Sequence, residues 1–325
     1  MGERALLQAL AAGPVSGDAL ARDAGVTRAA MWKRIQALRE AGVAIHARPG
    51  QGYRLEQPLQ LLDADAIRAA LPAAVQAQLA SLDVAWSLDS TNAELLRRPV
   101  PASGHAVLLA ERQSGGRGRR GRQWISPLAA NLYLSVSRRF DGGLARLGGL
   151  SLVAGVACAE ALQAAGIPGI TLKWPNDVLL DGRKLGGLLV EGGGEHGGPV
   201  RAVIGIGLNV CMPVTQRARI DCDIGQPWAD LSGLPQAPDR NRLAAAVLAR
   251  LLPDLARFDR EGLMPFLPRF AALDALQGRP ITLLAGDGRR RHGRAVGLAD
   301  DGALLVEVDG RVQPVHAGEV SVRGA

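Results

Sequence analysis

Residues 115–122 read GGRGRRGR, four glycines and four arginines in eight positions, and no other stretch narrows the possible folds of this chain so sharply. Arg117, Arg119, Arg120 and Arg122 repel one another unless something negative lies among them. The glycines make the segment floppy and let bare N–H groups approach a ligand, while each guanidinium offers five fixed donors suited to carboxylate or phosphate. The spacing Gly116-x-Gly118-x-x-Gly121 formally matches the dinucleotide fingerprint, which requires a helix to begin at the third glycine. Here RQWISPLAANLYLS follows, with Pro127 and then a strand-like run. A doubly wound dinucleotide fold is therefore excluded, and no G-K-[ST] ending supports a P-loop. What remains is a strand-to-strand loop able to close over an anion: a nucleic-acid backbone, a phosphorylated small molecule, or solvent alone.

The chain has 325 residues, which at roughly 100–200 residues per domain implies two or three domains. With 47% hydrophobic and 21% charged residues it has a globular composition. Cys158, Cys211 and Cys222 show no paired spacing, so neither a disulfide framework nor a zinc site is favoured and a reducing compartment fits best. The short N-terminal run ALLQALAAG is poor material for a secretory signal. No apolar run reaches the roughly 18 residues that would span a bilayer; residues 147–166 come nearest but carry Glu160 and many small side chains. A cytoplasmic protein with no membrane partner is expected. The net charge of +7 is spread along the chain and says little about nucleic acid. More telling, only Lys33, Lys173 and Lys184 among the 38 basic residues are lysines. An amine retained in an arginine-rich background suggests a site that guanidinium cannot serve.

Helical spacing over 3–12 and 17–24 is followed by GVTRAAMWKRIQALREAGV, with Thr27 as N-cap and Gly42 as stop. AIHARPGQGYRL then reads as a hairpin. Three helices and a hairpin within residues 1–60 predict a winged helix-turn-helix whose third helix enters the DNA major groove. Arg28, Lys33 and Arg34 are the candidates for reaching DNA, with Arg48 and Arg54 on the wing. Protein docking is the competing use of such a module. Residues 61–273 hold a linker and helix, strand-like runs at 82–86, 105–113, 131–137, 169–174, 185–193 and 201–210, and helical runs at 91–98, 146–165 and 240–259. Successive strands without crossover helices predict an α+β fold, a mixed sheet layered with helices. Residues 274–325, with short alternating strands and D-G turns, predict a small all-β barrel.

A second polar cluster lies in LKWPNDVLLDGRKLGGLLVE, residues 172–191. Pro175 is expected to keep Trp174 extended, so that Lys173, Asn176 and Asp177 project from a strand end and turn, with Lys184 opening the next strand. An amine, an amide and a carboxylate so placed can bind a nucleotide with magnesium while a second amine approaches the attacked phosphate. A plain polar hairpin is the alternative.

GGRGRRGRQW, KWPNDVLL, RKLGGLLVE and GIGLNV, in this order and together with STN at 90–92 and GQPW at 225–228, resemble the biotin protein ligases. The winged helix points to their bifunctional subclass, which also acts as biotin operon repressor, and the likeness runs over essentially the whole chain. It implies a class II synthetase-like (biotin ligase-like) central layer and an SH3-like C-terminal barrel. It further implies biotin binding by Ser90, Thr91, Asn92, Gln113, Arg117, Gly118, Arg119 and Lys184. Adenylate and ATP contacts are implied for Arg119, Arg122, Lys173, Asn176, Asp177, Asn209 and Trp228, Asp177 being the candidate for Mg2+. Lys184 and Arg119 carry the catalytic roles. The chain departs from the pattern at Met31-Trp32 in the third helix and in the arginine-containing segment 212–231.

The implied reaction joins biotin to AMP at the expense of Mg-ATP, giving biotinyl-5′-AMP, and then passes biotin to a lysine of a carboxylase's carrier domain. Neither step requires a covalent enzyme intermediate, which agrees with the lack of Ser/His or Cys/His pairs in these motifs; His105, His196 and Cys211 are then bystanders. The resemblance also implies operator DNA and a homodimer promoted by the adenylate, which doubles as corepressor. A non-catalytic biotin sensor, a lipoate ligase and a ligase with an inactive N-terminal module are the alternatives.

Overall fold

A computed structural model describes the chain except for residues 49, 57–58, 142, 144–146, 195–198, 214–225, 237, 286–288, 318–319 and 325. The first unit consists of α1 (Glu3–Ala12), α2 (Gly17–Asp23), α3 (Arg28–Glu40) and a hairpin of β1 (Ile45–Arg48) and β2 (Gly52–Leu55). The hydroxyl of Thr27 accepts from the Ala30 amide, and the chain leaves α3 through Ala41 and Gly42, whose φ of 103° suits glycine. Leu6, Leu10, Leu20, Met31, Ile35 and Leu38 form the core of this unit, and Leu128 and Ala129 from the central layer complete it. Met31 thus packs inward, while Trp32 stands 53% exposed on α3.

The central layer comprises α4 (Ala64–Ala70), α5 (Ala73–Gln76), β3 (Leu79–Ala85), α6 (Thr91–Arg97), β4 (His105–Ala110), β5 (Leu132–Phe140), α7 (Leu150–Ala164), β6 (Ile170–Lys173), β7 (Asp177–Leu180), β8 (Arg183–Gly194), β9 (Val200–Leu208), α8 (Arg240–Glu261) and α9 (Leu267–Ala271). Its seven strands run in the order β3-β4-β5-β9-β8-β7-β6. Only β3 and β4, joined through the crossover helix α6, pair in parallel; every other pair of the sheet is antiparallel. Side chains alternate between the faces of the sheet. On β4, Val107 and Leu109 face the cluster containing α7 and α8, whereas Leu108 meets Leu95 of α6. Helix α7 is buried nearly all round, the expected behaviour of a helix without a polar face.

β7 was not separable as a strand in the sequence reading. Asp177 belongs to it rather than to the turn, and pairs with Lys173 across a tight hairpin. The Trp174–Pro175 bond is cis, a geometry that the expectation of a merely extended Trp174 did not include.

β10 (Pro280–Ala285), β11 (Arg290–Leu298), β12 (Leu304–Val308), β13 (Arg311–Val315) and β14 (Val320–Gly324) form a five-stranded antiparallel sheet in the order β13-β12-β11-β10-β14, in keeping with the expected small SH3-like β domain. Ile281, Leu304 and Val322 join the same apolar cluster as the central strands, and Trp174 donates from Nε1 to the Gly302 carbonyl at 3.0 Å. The last sheet is therefore seated on the central layer. No helix among the described residues is long and apolar enough to cross a membrane.

Candidate active site

Two β-strand junctions and one helix start meet at a cavity of about 530 Å³. Ser90 is the N-cap of α6, so the first turn of that helix presents Thr91 and Asn92 to the cavity. Thr91 donates from its amide and its hydroxyl to Gln113 Oε1, at 2.8 and 3.1 Å. Ser135 donates to Thr91 Oγ1 at 2.7 Å and to Asn92 Oδ1 at 2.6 Å. Asn92 in turn donates to Glu191, whose Oε2 also meets the Arg117 guanidinium at 3.0 Å. One end of the cavity is therefore lined by hydroxyls and amides whose rotamers are fixed by each other, a setting suited to a polar but uncharged ligand head.

The other end is cationic. Lys184, on β8, puts Nζ 2.7 Å from Asp177 Oδ1 and 5.7 Å from the centroid of the Trp124 ring. Lys173 and Asn176 flank it through the β6–β7 turn. The arginine-rich segment is a hairpin in this structure: Gly118 donates to the Arg122 carbonyl and Trp124 to that of Gly116. Arg120, at φ 57°, sits at its tip in a conformation uncommon for a residue with a side chain. The hairpin folds Arg119 inward, where it donates to Asn176 Oδ1 at 3.3 Å and to the Ala317 carbonyl at 2.6 Å. Burial, with Arg120 adding to it, pushes the Arg119 pKa down, and Asp177 opposes the shift. A half-buried guanidinium gains more from an anionic ligand than one on the surface would.

Every biotin- and nucleotide-site residue expected from the sequence lines this one cavity: Ser90, Thr91, Asn92, Gln113, Arg117, Gly118, Arg119, Arg122, Lys173, Asn176, Asp177, Lys184, Asn209 and Trp228. Arg122 is on its exposed rim. Asn209 is buried and donates to the Ala229 carbonyl, which fixes the strap that carries Trp228. That strap runs beside β8, with Lys184 donating to the Pro227 carbonyl and accepting from Ala229, and Trp228 packs on Met212. Much of the segment expected to close over adenine, 214–225, together with His196 and Cys222, lies outside the described residues.

Trp124, Ser135, Glu191, Gly205 and Gly207 are not among the residues expected from the sequence, yet they surround the same cavity or its polar network. Trp124 lies flat on the glycines of β8 and β9: a Cβ added at Gly207 would come within 2.5 Å of its ring. Its indole Nε1 is buried without a partner. A missing side chain beside an unpaired donor is a cradle for a ligand. The available signal was Ser135, a buried polar residue between Leu134 and Val136 of β5, since a buried polar residue is the informative exception.

Asp177 is the carboxylate of the cavity lining among the described residues, and no three His, Cys, Asp or Glu side chains there form a metal cage. Such a donor set fits an ion brought in by a nucleotide's phosphates, which Mg2+ prefers to an all-protein cage. Of the expected bystanders, His105 and Cys211 do not line the cavity. His105 is buried, with Nδ1 unpaired, and burial, with Arg138 nearby, lowers its pKa to about 3. Burial pushes the Cys158 thiol up to about 12, and Cys211 is raised by burial and by Asp230.

The depressed pKa of His105 makes a stability prediction. Between its ordinary value near 6.5 and about 3 the unfolded chain binds a proton that the folded chain refuses, so stability falls as the pH drops through that window, by about 1.4 kcal/mol per unit. Acid titration of the thermal midpoint is expected to show this slope in the wild type and to lose that share of it in His105→Phe.

On the winged helix, Arg28 and Lys33 project from α3 into solvent, Arg28 lying 3.6 Å from Asp18. Arg34 is half-buried and donates back to the Met1 carbonyl at 2.7 Å, so it faces its own unit. Arg48 is exposed on the wing and Arg54 half-buried.

A winged helix joined to a mixed sheet, with a cavity graded from neutral donors to fixed cations and a small sheet closing it, defines a nucleotide-using synthetase layer carrying a DNA-binding module. Three family models match in series: the HTH domain over residues 3–54, the biotin/lipoate A/B protein ligase family over 85–209, and the biotin protein ligase C terminal domain over 277–323. The chain is 43% identical over 311 residues to the bifunctional ligase/repressor BirA of Salmonella typhimurium, covering 95% of this chain and 93% of that protein. It is 41% identical over 310 residues to the Escherichia coli protein of the same name, with the same coverage. Among solved structures, the Aquifex aeolicus biotin protein ligase in complex with biotin and ATP matches with a TM-score of 0.63 and 27% identity, over 76% of this chain and 100% of that one. The chain belongs to the family of bifunctional biotin ligase/repressors.

Proposed function

We propose that the protein adenylates biotin with ATP and transfers it to a carrier lysine, and that its winged helix represses transcription with biotinyl-5′-AMP as corepressor. One observation carries the enzymatic reading: a single cavity has a hydrogen-bonding end at Thr91, Asn92 and Gln113 and a cationic end at Lys184, Lys173 and Arg119. An uncharged ureido ring suits the first, and a carboxylate meeting an α-phosphate suits the second. The biotin carboxylate oxygen attacks the α-phosphorus, pyrophosphate leaves, and a mixed anhydride remains. The carrier amine then attacks its carbonyl carbon, an amide forms, and AMP leaves.

The chain contributes positioning and fixed charge. Lys184 neutralises the α-phosphate oxygens during attack, and Arg117 helps Ser90, Thr91 and Gln113 hold the ureido end. Asn176, Lys173, Arg122 and Asn209 line the nucleotide side, Trp228 provides a flat apolar surface for adenine, and Gly118 allows the loop backbone to approach. Asp177 would hold an Mg2+ ion brought in with the nucleotide, and that ion would offset phosphate charge.

Arg119 closes the cavity against the last sheet, so Arg119→Ala is expected to let biotinyl-5′-AMP escape before transfer. Mass spectrometry of the filtrate should find more free adenylate than from the wild type, and equal amounts would refute the closing role. The units fall at about 1–60, 61–273 and 274–325, the first presenting Arg28 and Lys33 to DNA. The protein is cytoplasmic in this reading, acts on the carrier domain of a carboxylase, and forms an adenylate-promoted dimer on a two-part operator.

The deciding experiment is mass-spectrometric detection of biotinyl-5′-AMP from purified protein with biotin and Mg-ATP, beside a lipoate control. Formation of the biotin adduct alone is expected; adenylation of neither acid would reduce the cavity to a sensor's clamp. Loss of duplex-DNA binding on deletion of residues 1–60 tests the second activity.

A further inference from the structure

Glu111 and Arg240 lie outside the cavity lining, yet both are buried, 1% and 4% exposed, and pair at 2.9 Å. Arg240 opens α8 and its fork reaches three acceptors: Glu111, the Asn131 carbonyl at 2.7 Å and the Gln60 carbonyl at 2.7 Å. Its own amide donates to Gln60 Oε1. Glu111 accepts from the Leu62 amide through its side chain and from the Ala129 amide through its carbonyl. Gln60 and Leu62 belong to the segment that leaves the wing, and the neighbouring Leu128 amide donates to the carbonyl of Ala41, the C-cap of α3. The pair therefore holds the wing linker at 60–62 directly and, through Ala129, lies next to the Leu128–Ala41 bond, two of the contacts between the winged helix and the ligase layer.

On its other side the same cluster reaches the nucleotide end of the cavity. Asn131 Oδ1 accepts from the Val210 amide at 2.9 Å, and its Nδ2 meets Met212 Sδ at 2.8 Å. Met212 is the residue on which Trp228 packs. Buried ion pairs are weak sources of stability, and apolar replacements of similar volume are often neutral or better. What a planar guanidinium supplies is direction, since it fixes several acceptors at once.

We propose that Glu111 and Arg240 are positioning residues that tie the wing linker and the end of α3 to strap 209–212, so that filling the nucleotide end restrains the winged helix. By reciprocity, restraint of the winged helix tightens the nucleotide end. This inference rests on the ligase reading.

The test uses the full chain as wild type, as Glu111→Gln, which keeps the shape, and as the double variant Glu111→Leu with Arg240→Met, which keeps a packed interior. Hydrogen exchange is followed with and without biotin and Mg-ATP, together with the kinetics of biotinyl-5′-AMP formation. In the wild type, ligand is expected to slow exchange both at 205–212 and at 38–64. In both variants the first protection should persist and the second disappear. The KM for ATP should rise roughly 3- to 30-fold, with kcat within about twofold. A purely structural role would not split KM from kcat in a variant that is fully folded. Variants that keep ligand-dependent protection at 38–64 with unchanged KM overturn the proposal, as does a wild type protected only at 205–212. A wild type that makes no biotinyl-5′-AMP and shows no protection anywhere removes the ligase reading and this inference with it.

Discussion

Lys184→Arg is expected to lower the rate of biotinyl-5′-AMP formation by about 100- to 1,000-fold, the usual cost of losing one well-placed charge stabiliser. Lys184 is 16% exposed at its side chain and is held between Asp177, at 2.7 Å, and the face of Trp124. That slot fits a compact ammonium on a flexible stem. A guanidinium is wider, planar and bound to its fork geometry, so retaining the charge does not retain its position. The KM for biotin should change little, because the ureido-binding end around Thr91 and Gln113 is untouched. Single-turnover quantification of the adenylate by mass spectrometry checks this, and an arginine variant within threefold of wild type would end the case for a specific amine.

Arg240→Met alone is expected to destabilise the protein by about 3–5 kcal/mol, because it leaves the Glu111 carboxylate buried without its partner. Adding Glu111→Leu should recover most of that loss, since the orphaned charge is then gone. Thermal midpoints of the two single variants and the double variant measure the coupling. If the double variant is no more stable than Arg240→Met, the penalty comes from lost packing and the uncompensated charge is not its origin.

The parts of the fold that were legible in the sequence are those whose signals are local. The hydroxyl of Thr27, the glycine after α3 and the alternation along β5 each act within a few residues, and each element lies where those signals put it. β7 was hidden because DVLL directly follows Pro175-Asn176, so four residues of strand read as the tail of a turn. The hairpin made by 116–124 was also beyond reach, since glycines and arginines permit many conformations and only contacts with Asn176 and Ala317 select one. In the site, residue types and order were enough to gather the polar candidates, while their roles came from family resemblance. Trp124 escaped notice because its neighbours on β8 and β9 are glycines, which show their purpose only when something is laid upon them. The Glu111–Arg240 pair joins positions 129 apart in the chain, and no periodicity announces such a contact.

The carbonyl that receives Arg119 belongs to Ala317, and Val322 also borders the cavity. During synthesis the winged helix leaves the ribosome first, with its caps and most of its core already in hand. The cavity, by contrast, lacks a wall until the chain through Val322 has emerged. A nascent molecule thus passes through a period in which its DNA-binding unit can be shaped while its chemistry is still impossible. Any stall or cleavage ahead of the last strand would leave a DNA-binding remnant whose cavity lacks that wall.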